Sequence, residues 1–567
     1  MSGILGILHT AKQAILSEMS AINTTGSNIA NANTTSYARL RPVFSTVGSS
    51  SSDSPQDQIG VQIADIQRVY DKFLESQIVE QENRIGYTDT RRNALDRIEA
   101  AMNQSDGGSI NEVLSEFWGA WNDLAANPSG TAERDALVSV SQSLASMISQ
   151  EADNLIQIGR DMDSTIDDTL TQVNQYSADI ANYNRQITQI EMAGGSANNL
   201  RDKRSELLQN MANALDIQYY ENSQGAYNIM LANGTPLVVD DTSWELSMET
   251  EAFNASGYHH IIASSSPQTA LDDVINGGKV GALLEMRDTT IDDYLSQLNT
   301  IAESIVNSVN GQHAVGYNAY SDLGGAFFEP FTDAKNMQIS ASILSDPQKI
   351  AASATVNGDG NNALLIASIK DGQVYPALLD ISASNADEGL NENPGFTALI
   401  NSSDAVTRNT TTGHPITLTR GATAGAWTAT DNGGYTGLAV LSADATTVTL
   451  DLDGSGTADI TLSLIGDWQQ NDSASFKLVQ NKSLVTCSGL FDALVAHVGQ
   501  DVADCARNQE KQTAIANQLN TQKESISGVS IDEEMTNLIK YQFAYNAAGK
   551  LANTVNEMLD TMINLGK

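Results

Sequence analysis

The stretch YQFAYNAAGKLANTVNEMLDTMINL, residues 541–565, decides how the rest of the chain is read. Apolar side chains fall at Tyr541, Ala544, Ala548, Leu551, Val555, Met558, Met562 and Leu565, in steps of 3 and 4. That spacing predicts a heptad seam on one face of a helix. The opposite face is Asn, Thr, Gln and Ala, with charge only at Lys550, Glu557 and Asp560. Exposed helices carry more charge, so this one is expected to be covered on its outer face too. Burying apolar side chains contributes roughly 1.5–3 kcal/mol each, while ordering backbone costs about 1–2 kcal/mol per residue. Such a helix is marginal alone and needs a partner.

The other end of the chain offers one. Leu8, Ile15, Ile22 and Ile29 recur every seven residues, Ile4 and Ala11 fill intermediate positions, and Met19 widens the stripe. From Met1 to Ser36 the only charged side chains are Lys12 and Glu18. Two arrangements fit. The terminal helices pair, with the intervening chain leaving and returning between them, or each is an amphipathic helix on a large core. A signal peptide is not expected: no basic leader is present, and Gly6, His9 and Lys12 break the apolar run. Nor does any run approach the ~20 apolar residues of a membrane span. Surface-bound membrane helices place Lys and Arg beside the apolar face, which these do not.

The chain has 567 residues, room for three or four domains, and a net charge of −39. That charge argues against nucleic acid as a partner, since phosphates demand a basic face. Cys487 and Cys505 exclude a disulfide scaffold but leave one bond or two free thiols open.

Along the chain, Ser45–Gln58 reads as a Ser-rich linker, and Ile63–Tyr70 as a short strand or a helix start. Asp71–Met102 reads as helix. Ser109-Ile110-Asn111-Glu112 has capping-box spacing and opens a helix that Asn127-Pro128 stops. The longest helical signal runs from Ala132 to about Met192 and ends at Gly194-Gly195. Asn199–Leu215 is a further helix. Strands follow over Ile217–Met248, with Asn233-Gly234 as a hairpin turn. Helix returns over Val280–Val309 and again from Phe491 to about Lys523. Between them, Thr446–Leu464 alternates like a strand pair, inside a Thr-, Gly- and Asp-rich region. The expected fold class is multidomain α+β. It comprises a paired terminal coiled coil (1–50 and 524–567), a helical bundle with a small β region at 217–275 (60–345 and 482–523), and a β-rich inserted outer domain (346–481).

Chemistry is sparse. His259-His260 are the only adjacent histidines, and no nucleophile motif accompanies them. Asp451, Asp453 and Asp459 imitate positions 1, 3 and 9 of a calcium loop, but position 12 is Leu462 and the flanks read as strands. A hairpin turn is the preferred reading of them, and no metal site is expected. No cofactor and no enzymatic activity are expected.

The stretch after the first helix is Asn28-Ile29-Ala30-Asn31-Ala32-Asn33-Thr34-Thr35-Ser36-Tyr37-Ala38-Arg39. Locally, its asparagines favour a helix end and a loop. It also closely resembles the N-terminal signature of the bacterial flagellar axial proteins, the rod, hook and hook-associated proteins, through Asn28, Asn31, Asn33, Tyr37 and Arg39. The Ser-Tyr-Ala-Arg ending is similar to that of proteins at the junction of hook and filament. Leu200–Leu208, Gly277–Gly281, Asn310, His313, Gly316 and Phe328 resemble the family too. So do Gly528-Val529-Ser530-Ile531-Asp532-Glu533-Glu534 and Glu557–Asp560.

The resemblance spans roughly 1–45, 195–330 and 525–567, and leaves the β insert out. It implies a structural adaptor joining hook to filament, assembled through the seam as a ring of copies in the axial tube. Implied partners are the hook protein, the next junction protein, and an export chaperone at the C-terminal helix. The implied location is the extracellular flagellum, reached by type III export without a cleaved signal. Another axial protein, such as flagellin, and a secreted adhesin displaying the β insert are the alternatives.

Overall fold

The computed structural model describes residues 2–34, 36–48, 58–102, 109–253, 257–267, 269–356, 358–371, 379–384, 395–400, 416–421, 426–431, 438–443, 447–451, 456, 458, 460–465, 473–478 and 486–565. The chain divides into two compact units, one of residues 1–103, 154–294 and 497–567, the other of 104–153 and 295–496.

The first unit holds both chain ends. Helix Ser2–Ala30 packs along helix Ile531–Leu565. Strands Leu40–Gly48 and Gln58–Arg68 form an antiparallel hairpin, in register from Leu40↔Arg68 and broken by a bulge between Val43 and Phe44. The expected linker at 45–58 is therefore strand up to Gly48, with 49–57 outside the described residues. Ile63 lies in the second strand, which settles that segment as strand rather than helix. The β-branched residues Val61, Ile63 and Ile66 suit a pleated strand. Ser17 Oγ donates to Val61 O at 3.0 Å, tying the hairpin to the first helix.

Helix Thr131–Met192 matches the longest sequence signal. In this unit it buries Leu155, Ile158, Met162, Ile166, Leu170, Val173, Ile180 and Ile187 on one stripe. It stops because Gly194, at φ +82°, takes the left-handed conformation and lets Gly195 N–H reach Ile190 O at 2.9 Å. Helix Asn198–Ala214 follows, then a four-stranded antiparallel sheet in sequence order: Gln218–Glu221, Tyr227–Met230, Pro236–Val239 and Thr242–Ser243. Buried Asn184 pins the sheet to the long helix, accepting from Tyr227 N–H at 3.0 Å and donating to Tyr227 O at 2.8 Å.

Charged side chains of helix Asn198–Ala214 are buried here. Arg204 is fully buried, stacks 3.7 Å from the centre of the Tyr227 ring, and donates to Asn184 Oδ1 at 2.7 Å. Asp202 pairs with Arg68 at 2.7 Å, although burial pushes its carboxyl up from its ordinary value. The helix expected over 280–309 contains a π turn at Met286–Thr290 between Gly278–Glu285 and Ile291–Ala314. The extra residue changes the helical phase and directs Arg287 inward. There Arg287 meets Asp163 and Asp288 at 2.7 Å each. His259 and His260 brace the arrangement, bonding Asp163 and Asp272 at 2.7 Å.

In the second unit, Ser109 Oγ caps helix Ile110–Ala126 by accepting from Glu112 N–H at 3.2 Å. Phe117, Trp118, Trp121, Phe327 and Phe328 form its aromatic core. Two four-stranded antiparallel sheets occupy the later part, in the orders Gly395–Ile400, Ile460–Ile465, Thr447–Asp451, Ala439–Ala443 and Trp427–Asp431, Ile416–Arg420, Ser473–Leu478, Leu379–Ser384. Thr447–Asp451 pairs with Ile460–Ile465, as the alternation predicts. Cys487 and Cys505 are free and buried.

His313 sits fully buried beside Trp121 and Phe327. Its Nδ1–H donates to Gly325 O at 2.6 Å and its Nε2 accepts from Ala351 N–H at 2.9 Å, which fixes a neutral tautomer. Burial pushes its pKa down to about 4. The unfolded chain binds this proton near pH 6.5, so the folded unit loses ~3 kcal/mol as pH falls from about 6.5 to 4. Between pH 7 and 5 the tryptophan-monitored melting temperature should therefore fall more in the wild type than in His313→Gln. Equal falls would refute the assignment.

Candidate functional site: a clasp at the paired termini

The hinge between helix Cys487–Ser527 and the last helix is Gly528-Val529-Ser530. A Cβ on Gly528 would lie 2.2 Å from Glu524 O, so only glycine fits the turn. Ser530 accepts from Glu533 N–H through Oγ at 3.4 Å, a long contact at the spacing of a capping box. Asp532, Glu533 and Glu534 lie in the first turn, where the helix dipole favours anions.

Glu534 then turns inward, its side chain 3% exposed. Arg39 Nε donates to its Oε1 at 2.8 Å, and Asn28 Nδ2 donates to its Oε2 at 3.0 Å. Those two residues come from the other end of the chain, Asn28 at a separation of 506 positions. Arg39 also reaches Glu533 at 2.9 Å, but that carboxylate is 62% exposed and the pair is worth little. Asn28 uses its whole amide. Its Oδ1 accepts from Leu40 N–H at 2.9 Å and Tyr37 OH at 2.8 Å, while Nδ2 also donates to Leu40 O at 2.9 Å. The Arg39 backbone closes the ring, donating to Ser527 O at 3.0 Å and accepting from Val69 N–H at 2.8 Å.

Three of the five signature residues thus act in one polar clasp. Asn31 donates to Ser27 O at 2.9 Å within its own helix end. Asn33 is exposed and lines a cleft beside the clasp with Asn31, Tyr37, Asn520, Lys523 and Ser530. Sequence reasoning saw the two signature phrases but not that Glu534 joins them.

Above the clasp, the fully buried residues of the two helices are mostly small or polar. Ala11, Ser17, Ala21, Thr24, Thr25 and Asn28 are buried on the first helix, and Glu534, Ala548 and Val555 on the last. Of the heptad set, Leu8, Ile15, Ile22, Ile29, Tyr541 and Ala544 are half-buried, and Phe44 lies 6.1 Å from Tyr541 ring to ring. Leu551, Met558 and Met562 are exposed, as is Met19. The side chains of Ile4 and Leu565 lie outside the described residues. A second exposed stripe, absent from the heptad reading, runs through Ile531, Met535, Ile539 and Phe543, the last 71% exposed. Its i, i+4 spacing is visible in the sequence. Across the pair, burial raises the Glu18 carboxyl pKa while Lys540 pulls it down.

The metal candidates do not assemble into a described site. Asp451 Oδ2 accepts from Gly456 N–H at 2.7 Å, as in a turn, and Asp453 and Asp459 lie outside the described residues. Among the described residues no cluster of three His, Cys, Asp or Glu could hold a metal ion, and no helix is long and apolar enough to cross a membrane.

Asn28→Ala removes four hydrogen bonds and should speed proteolytic cleavage between residues 30 and 40 at least tenfold. Asn28→Asp is isosteric but sets a carboxylate against Glu534, so cleavage should be at least as fast as in the alanine variant. Wild-type resistance in the aspartate variant would contradict the geometry.

Comparison with known proteins places these features in context. Residues 95–328 match the family described as "Flagellar hook-associated protein FlgK helical domain", and residues 522–565 match "Flagellar basal body rod FlgEFG protein C-terminal". Flagellar hook-associated protein 1 of Salmonella typhimurium is 23% identical over 578 residues, covering 99% of both chains. The protein of that name from Escherichia coli is 23% identical over 576 residues, again 99% of both. That from Bacillus subtilis is 25% identical over 587 residues, 98% of this chain and 97% of the relative. The solved structure of the flagellar hook junction protein FlgK from Burkholderia pseudomallei aligns at 18% identity and a TM-score of 0.49, over 80% of this chain and 100% of that one.

Proposed function

Since this chain belongs to the family of flagellar hook-associated protein 1, a structural family of the bacterial flagellum, we propose that it joins hook to filament by axial self-assembly of its paired terminal helices. One observation carries the mechanism. The fully buried positions of the pair are mostly small residues, and large apolar side chains are left outside: Leu16, Met19, Ile539, Phe543, Leu551 and Met558 are all exposed. An isolated chain gains nothing from that surface. Neighbouring copies packed side by side would bury it, at roughly 25 cal/mol for each Å² of apolar area. Head-to-tail contacts between such surfaces propagate along a tube rather than closing into a dimer.

In this reading residues 1–50 and 524–567 are the assembly domain, 60–345 and 482–523 the helical shell, and 346–481 an outer domain facing solvent. The hook protein lies on one axial side and the next junction protein on the other, with copies of this chain around the ring. The protein works outside the cell after type III export without a cleaved signal. An export chaperone covers the exposed face of the last helix until assembly. The function is structural and non-enzymatic.

Leu551→Asp tests the mechanism. Leu551 is 42% exposed, so the purified variant should melt as the wild type does, while incorporation into flagella falls at least tenfold. Val555 is 2% exposed, so Val555→Asp should in addition loosen the helix pair in the free chain. Normal incorporation of Leu551→Asp, scored by immunogold microscopy, would sink the proposal. Removing residues 346–481 should leave incorporation intact, and its loss would show that the outer domain is needed for assembly.

A further inference from the structure

We infer that Asn276 is a site of spontaneous covalent modification, where the side chain closes onto the Gly277 backbone nitrogen and reopens as aspartate or isoaspartate. The inference goes beyond the assembly reading and does not depend on it.

The reaction needs an asparagine followed by a residue that lets the chain fold back on it, and glycine, without a Cβ, does so best. The backbone nitrogen of the glycine gives up its proton to solvent base and attacks the side-chain carbonyl carbon of the asparagine. A new C–N bond forms, the bond from that carbon to the side-chain nitrogen breaks, and the nitrogen leaves as ammonia. Water then opens the cyclic imide at either carbonyl. One opening gives aspartate; the other gives isoaspartate, in which the main chain runs through the former side chain. Only water and a proton acceptor take part.

Three Asn-Gly pairs lie within the described residues, at Asn233, Asn276 and Asn310, while Asn357 and Asn432 lie outside them. The fold treats the three differently. Asn310 is inside helix Ile291–Ala314. Its Oδ1 accepts from Phe327 and Phe328 N–H at 2.8 and 2.9 Å, and its Nδ2 donates to Phe328 O at 3.0 Å. Turning that amide toward Gly311 would break all three bonds. At Asn233 the attacking nitrogen is occupied, because Gly234 N–H donates to Leu231 O at 2.9 Å. Asn233 Oδ1 in turn accepts from Thr235 N–H at 3.0 Å.

Asn276 is exposed, and its Nδ2 makes long contacts, 3.3 Å to Asp273 O and 3.4 Å to Val274 O. Gly277 is buried, and among the described residues no acceptor takes its N–H. A buried N–H without a partner is costly. Closing the imide removes that hydrogen. At the other two pairs closure sacrifices good hydrogen bonds, whereas here it relieves an existing penalty.

The two products have different consequences. Aspartate at 276 would stand just before helix Gly278–Glu285, where the helix dipole favours an anion. Isoaspartate lengthens the main chain by one methylene at a point with no slack. A Cβ on Gly277 would lie 2.5 Å from Asn83 Oδ1, and one on Gly278, at φ +66°, would lie 2.6 Å from Leu215 N. Isoaspartate should therefore loosen helix Gly278–Glu285 from helix Lys72–Met102, against which it packs.

Peptide mapping by mass spectrometry tests the site, with the full-length purified chain held at mildly alkaline pH, folded and in urea. Isoaspartate is counted by enzymatic methylation. In the folded chain Asn276 should convert at least tenfold faster than Asn233 and Asn310. In urea, where no tertiary contact distinguishes the pairs, the three should convert at similar rates. Hydrogen exchange over 278–285 should quicken in chains carrying isoaspartate and stay unchanged in Asn276→Asp.

Conversion at Asn233 or Asn310 that keeps pace with Asn276 in the folded chain would overturn the inference. So would the same order of rates persisting in urea, or an intact Asn276 in folded chains after the urea sample has converted. Equal exchange in the isoaspartate and Asn276→Asp chains would overturn the consequence assigned to the packed glycines.

Discussion

The burial of one carboxylate, Glu534, constrains the terminal architecture more than any apolar contact does. A charge removed from water needs an opposite charge and hydrogen-bond donors at short range. Here both come from the opposite end of the chain, so the chain ends must converge at this point. The direction in which the two helices leave the body follows. Gly528 permits the sharp turn before the last helix, and Asn28, by bonding the backbone of Leu40 on both its amide and carbonyl sides, sets the exit from the first.

The same economy recurs in the body of the protein. Arg204, Arg287 and Arg134 are fully or almost fully buried, each with a different solution. Arg204 lies on an aromatic ring, and Arg287 sits among aspartates. Arg134 donates to backbone carbonyls of Pro128 and Ile350 at 2.8 and 2.7 Å. Each spends its charge inside one compact unit, where it holds a loop or sheet edge to a long helix. In a chain of net charge −39, these internal cations are matched locally while the surface remains acidic and self-repelling. Against that background the paired terminal helices stand out by the large apolar side chains they leave exposed.

Much of this was legible in one dimension. Helix limits at Ser109, Asn127 and Gly194, and the hairpin at Asn233-Gly234, follow from local backbone chemistry that needs no distant partner. The heptad residues Leu8 to Ile29 and Tyr541 to Met562 mark the helices that pair. Three features escaped. The strand Leu40–Gly48 runs into the Ser-rich stretch and was missed there, because its stability comes from pairing with Gln58–Arg68, which rests on the first helix. Asp202 and Arg204 resemble any solvated pair on a helix until Arg68 and Tyr227 are brought to them. The π turn at Met286–Thr290 leaves no trace in apolar periodicity, since its purpose is to seat Arg287.

The division has a physical basis. Periodicity, capping and turn chemistry act within a few residues, so the amino-acid order by itself determined the helices and the acidic character. Which face of each terminal helix is covered within the chain, and that Glu534 answers to Arg39 and Asn28, depended on contacts between residues about 500 positions apart. Only the tertiary structure could decide those, because burial is a property of the surroundings and not of the side chain that is buried.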